Sequence, residues 1–168
     1  MVIIRGTKKL LDRVGPPEPA VREGSTTSLG EWFATVLFWK PQVALFLNKL
    51  TLLPIVVPFA PGATLLNRFP AAVAGVFAAL GQDGEFIERE IEEMQEHRLM
   101  RTNDRSVLGV MNGLTQLADQ YHAFNAIRDP LQLSLFLAGT PCGPLFGGHV
   151  SPDRELAALV ETVVTNED

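Results

Sequence analysis

Three consecutive runs of aromatic and β-branched residues constrain this chain more than any other feature. Residues 31–39, 42–48 and 51–58 follow one another across short turns at Lys40-Pro41 and Asn48-Lys49. Connections this short join neighbouring strands that run in opposite directions, so the pattern predicts an antiparallel meander. Pro54 lacks an amide hydrogen, which places the third strand at a sheet edge or at a bulge.

The rest of the chain reads as helices added to that sheet. Residues 2–5 are β-branched and predict a short first strand, and Leu10, Leu11 and Val14 give residues 8–14 helical spacing that Gly15-Pro16-Pro17 ends. Residues 15–30 read as a flexible surface loop. Residues 63–80 predict a short helix followed by a longer one with Pro70 in its first turn. Residues 83–97 predict an amphipathic helix capped by Asp83, with Ile87, Ile91 and Met94 as its apolar stripe and charged, wet faces elsewhere. A short strand at residues 99–102 is followed by the strongest helical period in the chain. There Val107, Val110, Met111, Leu114, Leu117, Ala118 and Tyr121 recur to about residue 124, behind a cap at Asn103 or Asp104. A helix over 130–137, a turn-rich segment over 139–152 and a last helix over 153–164 complete the pattern. The expectation is one α+β domain over residues 1–168, with a small, mainly antiparallel sheet of three to four strands and about five or six helices.

Composition narrows the function classes. A chain of 168 residues suits one core, and 46% hydrophobic with 20% charged residues is a globular balance that excludes extended disorder. With 14 basic against 19 acidic residues, a net charge of −5 and no basic run longer than Lys8-Lys9, nucleic acid is not an expected partner. The single cysteine, Cys142, has no disulfide partner within the chain, and the first residues carry no signal-like apolar region. Both point to the cytoplasm. Residues 50–80 are the most apolar stretch, yet Pro54, Pro58, Pro61, Asn67, Arg68 and Pro70 interrupt them, so no membrane span is expected.

The segments Ile3-Ile4-Arg5-Gly6-Thr7-Lys8-Lys9-Leu10-Leu11, Gly30-Glu31-Trp32, Asn48 with Thr51-Leu52, and above all Thr102-Asn103-Asp104-Arg105-Ser106-Val107-Leu108-Gly109-Val110-Met111-Asn112 carry a resemblance. Over roughly residues 1–125 the chain resembles a family of uncharacterised bacterial proteins, a domain of unknown function. The resemblance implies a bacterial source and an α+β fold; it implies no activity and transfers no catalytic residue.

Several residues are candidates for chemistry, each with a plainer reading beside it. Arg5, Lys8 and Lys9 cluster near the first strand and, with the free amides of the following helix, are suited to an anion; the plainer reading is a solvated helix start. Thr102, Asn103, Arg105, Ser106 and Asn112 form the second candidate surface. Arg105, Asn112 and Asp119 are spaced seven apart and share the face opposite Val107 and Met111, with Gly109 leaving a gap between them. A guanidinium beside an amide suits a carboxylate, a phosphate or a peptide backbone; the plainer reading is a helix cap and a wet helix face. The glutamates of residues 85–96 read as an exposed face with Glu85–Arg89 and Glu93–His97 pairs. Cys142, seven residues before His149, reads as a half-buried structural thiol rather than a nucleophile. His97, His122 and His149 lack ligand spacing, so no metal is expected, and no motif implies a cofactor. Trp32, Phe33, Phe38 and Trp39 read as core.

The leading expectation is a non-enzymatic binding or protein-interaction module for an unknown protein or a small anionic ligand, with a homodimer through an edge strand or apolar helix as a further option. The alternative is a small enzyme that assembles a pocket from dispersed polar residues such as Arg5, Arg105, Asn112, Tyr121 and Cys142.

Overall fold

The first strand is the hinge of the architecture. A computed structural model describes residues 1–20, 22–124 and 127–168. Along the chain it contains β1 (Val2–Gly6), α1 (Lys8–Val14), β2 (Trp32–Leu37), β3 (Val43–Asn48), β4 (Pro54–Pro58), α2 (Leu65–Ala79), α3 (Gly84–Glu93), β5 (His97–Arg101), α4 (Arg105–Ala123), α5 (Pro130–Ala138) and α6 (Pro152–Glu167). The strands form one sheet in the order β4-β3-β2-β1-β5. Strands β2, β3 and β4 make the expected antiparallel meander, with Thr35 opposite Leu45 and Leu45 opposite Val56. β1 lies between β2 and β5 and runs parallel to both, Ile4 facing Trp32 on one side and Leu99 on the other.

The sheet is therefore five-stranded and mixed, which corrects the expectation of three to four mainly antiparallel strands. Parallel partners are joined by long connections, α1 with the 15–30 segment between β1 and β2 and everything from α1 to α3 between β1 and β5, so no turn residue announces the pairing. α3 also ends at Glu93, and His97, expected to close that helix, instead opens β5. Flanked by charge on both ends, β5 is an edge strand.

Alternation along the strands divides the core into two layers. Val2, Ile4, Trp32, Ala34, Phe46 and Ile55 face one side, where they meet Leu10 of α1, Phe69 and Phe77 of α2, Phe86 of α3 and Leu156 of α6. Phe33, Leu37, Leu45, Leu47 and Val56 face the other, against Val107, Met111 and Leu114 of α4 and Leu133 and Leu137 of α5. Phe69 anchors the first layer: its ring stacks on Phe46 at 3.9 Å between centroids and meets Trp32 edge-on at 5.1 Å. α2 is one helix with Pro70 inside it, after a short 3-10 turn at Gly62–Thr64, instead of two helices divided before the proline. The packing of Phe69, Val73 and Phe77 on the sheet holds the helix together across the missing amide.

Both sheet edges are partly occupied. Pro54 and Pro58 offer no amide on β4, and Val56 N donates to Ser134 Oγ of α5 at 2.8 Å. On β5 the Leu99 carbonyl accepts from Glu18 N at 2.8 Å. The 15–30 segment is further tied down by Ile3 N to Ser25 Oγ at 2.9 Å, by Thr26 N to the Met1 carbonyl at 2.8 Å, and by the Ser28 and Leu29 amides on Glu90; Val21 of that expected loop lies outside the described residues. Among the described residues no helix is long and apolar enough to cross a membrane.

Gly109 and Gly113 sit mid-helix in α4, and a Cβ at either would meet no atom within 4 Å. Nothing in the fold needs them to be glycine. Replacing either with alanine should raise stability by about 0.5–1 kcal/mol in urea denaturation; a loss would show that the helix needs its glycines.

Candidate functional site at the carboxyl ends of the parallel strands

β1, β2 and β5 all end on the same edge of the sheet, at Gly6, Leu37 and Arg101. From there β1 hands over to α1 on one face, and β5 hands over to α4 on the other. Where adjacent parallel strands send their helices to opposite faces, a crevice opens between their carboxyl ends, and this is where open sheets of this kind hold ligands.

A crevice of about 390 Å³ occupies that place, lined by Gly6, Lys8 and Asp12 on the β1–α1 side, by Arg101 and Thr102 at the end of β5, and by Pro16-Pro17. Gly6 is needed for packing, because a Cβ there would come within 3.0 Å of Leu11 Cδ2, so β1 and α1 approach closely only without one. Thr7 caps α1, and its hydroxyl donates to Thr35 Oγ1 at 2.9 Å, tying the start of the helix to β2. Lys8 is exposed and reaches Asp12 Oδ2 at 2.9 Å, one turn along the helix. Such a pair at the surface is weak and readily exchanged for another anion.

Arg5 stands behind the crevice. Its Nε and Nη2 donate to the Glu31 carboxylate at 2.7 and 3.1 Å, and its Nη1 donates to the Arg101 carbonyl at 3.0 Å. The two-pronged pair is the geometry guanidinium favours, and it fixes the end of β5 against the start of β2. Arg5 thus positions Arg101 and Thr102.

The block of residues 102–112 divides among three places. Thr102 enters the crevice. Asn103 lies in the turn, and Arg105 opens α4, exposed and without a hydrogen bond or ion pair to a described residue. Asp104 caps α4: its Oδ1 accepts from Ser106 N at 2.9 Å and Ser106 Oγ at 2.6 Å, and Oδ2 lies 3.8 Å from Lys49 Nζ. The Ser106 hydroxyl, with the Val107 and Ser106 amides and Lys49 helping, holds this carboxyl below the usual aspartate range. Asn112 lies farther along, facing a second cavity with Asp119. The spacing argument therefore places Asn112 and Asp119 together, while Thr102 belongs to the neighbouring crevice and Ser106 to an apolar groove beside Gly109, Leu117 and Pro141.

Sequence reading missed Arg101, Asp12 and the Pro16-Pro17 wall. The prolines read only as a helix stop, and nothing local shows that they fold back beside β5. Two other readings shift. Trp32 and Phe33 are core, but Phe38 is 56% exposed and Trp39 only half-buried. Cys142 is buried, with its Sγ 3.7 Å from the Thr140 carbonyl, and burial pushes its thiol up, away from the thiolate a nucleophile needs. Among the described residues no group of three or more His, Cys, Asp or Glu is placed to hold a metal ion.

The fold and this edge define a class: an α+β domain in which a mixed sheet separates two helical layers, with a polar crevice at the carboxyl ends of its parallel strands. The chain belongs to the family described as a domain of unknown function (DUF6933), whose model matches residues 3–155. The match extends some way past the roughly 1–125 over which the sequence motifs carry the resemblance. No curated protein and no solved structure matches the chain.

Proposed function

We propose that this domain is a binding module of the bacterial cytoplasm that takes a small anionic ligand, a carboxylate or phosphate, in the crevice between the carboxyl ends of β1 and β5. One observation carries the reading: the handover of β1 and β5 to helices on opposite faces coincides with a crevice lined by Lys8, Arg101 and Thr102. These are recognition groups, two cationic donors and a hydroxyl. An incoming anion exchanges with the exposed Asp12 carboxylate for Lys8. The single cysteine, which has no disulfide partner within the chain, supports the cytoplasmic placement.

Calorimetric titration with inorganic phosphate and with succinate tests this. One of the two should bind saturably, and the Lys8→Ala, Arg101→Ala double variant should weaken it about tenfold or more, since charge-assisted hydrogen bonds contribute on the order of 1.5–3 kcal/mol each. Stability should change little, because both side chains are exposed. Binding left intact in the double variant would remove the crevice from the account.

A further inference from the structure

The same edge of the sheet holds a second cavity, of about 310 Å³, over the carboxyl end of β2. Lys9 of α1 stands on one side, Asn112 and Asp119 of α4 on the other, and Thr35, Phe38 and Trp39 line it between them. The two helices come from opposite faces of the sheet, so the cavity straddles its end.

Two features distinguish it from a wet surface dent. First, it contains opposite charges that do not pair: Lys9 makes no hydrogen bond or ion pair with a described residue, and Asp119 makes no ion pair with one. Second, the carboxylate is aimed. Asp119 Oδ1 accepts from Trp39 Nε1 at 2.6 Å, and the Trp39 ring is stacked on His122 at 4.2 Å with an interplanar angle of 3°. Oδ2 makes no hydrogen bond or ion pair with a described residue. Asn112 and Thr115, on the same helix face, add an amide and a hydroxyl, and the Phe38 ring is an exposed apolar surface beside them.

We propose that this cavity binds a small zwitterion, a free α-amino acid with an aromatic or other apolar side chain. Its carboxylate bonds Lys9, its ammonium bonds Asp119, and its apolar side chain lies against Phe38 and Trp39. The site does not depend on the anion crevice, from which it differs in every lining residue.

Tryptophan fluorescence reads this directly. The chain has two tryptophans, and Trp32 is fully buried, so a ligand in the cavity acts on Trp39. L-phenylalanine should change the emission saturably with a dissociation constant in the range of about 0.1–10 mM, and Trp39→Phe should abolish the change. Phenethylamine, which lacks the carboxylate, and 3-phenylpropanoate, which lacks the ammonium, should each bind about tenfold more weakly. Asp119→Asn keeps an acceptor for Trp39 Nε1 and should erase the preference over 3-phenylpropanoate; Lys9→Ala should erase the preference over phenethylamine. The Lys8→Ala, Arg101→Ala chain should retain phenylalanine binding, which separates this site from the crevice. No saturable change up to roughly 10 mM, equal binding of the three compounds, or preferences untouched by Asp119→Asn and Lys9→Ala would overturn the proposal.

Discussion

Replacing Asn48 with alanine will lower the unfolding free energy by roughly 3–5 kcal/mol, read from the midpoint of chemical denaturation at unchanged slope. The Asn48 side chain is fully buried at the end of β3, and all its polar atoms are used. Nδ2 donates to the Leu29 carbonyl at 2.9 Å and more distantly to that of Glu31 at 3.4 Å. Oδ1 accepts from Leu50 N at 3.1 Å, Thr51 N at 2.9 Å and Thr51 Oγ1 at 3.0 Å. One amide thus closes the β3–β4 turn, where Leu52 has a positive φ of 60°, and ties it to the strand entry before β2. Alanine orphans the Thr51 amide and hydroxyl and the Leu29 carbonyl in a dry place, and each buried unsatisfied group costs about 1–3 kcal/mol. A loss below about 1 kcal/mol would mean that water satisfies these groups and that the turn is not as dry as its burial implies.

Glu90→Ala should cost about 2–3 kcal/mol at neutral pH, for a related reason. Glu90 is 2% exposed on the inner face of α3, where its carboxylate accepts from Ser28 N at 2.9 Å and Leu29 N at 3.1 Å. Removing it frees two amides of the segment that leads into β2, partly offset by the relief of burying a charge. Burial raises its carboxyl above 4.5, against the opposing pull of the Leu29 and Ser28 hydrogen bonds. Folding therefore favours the protonated form. The part of its stabilisation that is linked to protonation is full below about pH 4.5 and is lost as pH rises through the raised folded value, while the hydrogen bonds from Ser28 N and Leu29 N remain. In Glu90→Gln that dependence is absent. The stability of the parent chain relative to Glu90→Gln should then decline as pH climbs from about 4.5 and level off above the raised value. A difference that stays flat or grows between about pH 4 and pH 8 would contradict the assignment.

These two residues also show what a sequence can disclose. The meander was readable because its turns are local, and α1 and α4 were readable because their apolar residues recur at helical spacing, with a cap at Asp104 beside α4; the caps of α1 and α5 at Thr7 and Asp129 emerge only in the structure. The position of β1 between β2 and β5 was not, since register between distant parallel strands depends on tertiary packing. Glu90 read as one more charge on a wet helix face; its partners lie some sixty residues earlier, and they are backbone amides that no side-chain pattern reveals. The resemblance motifs divide in the same way. Arg5 with Glu31, Gly30 at φ 68°, Asn48 with Thr51, and Asp104 with Ser106 are engaged in holding the fold. Lys8, Lys9, Thr102, Arg105 and Asn112 are not held in its core, and four of them face the two cavities at one edge of the sheet.

That edge is the centre of the account, and amide-resolved NMR during titration with inorganic phosphate and then with succinate tests it most directly. The account predicts that at least one anion shifts Gly6 to Lys8 and Arg101 to Thr102 along a single saturable curve, and that the Lys8→Ala, Arg101→Ala chain loses those shifts. Shifts scattered over exposed basic residues in proportion to ionic strength, or shifts centred elsewhere on the molecule, would contradict it.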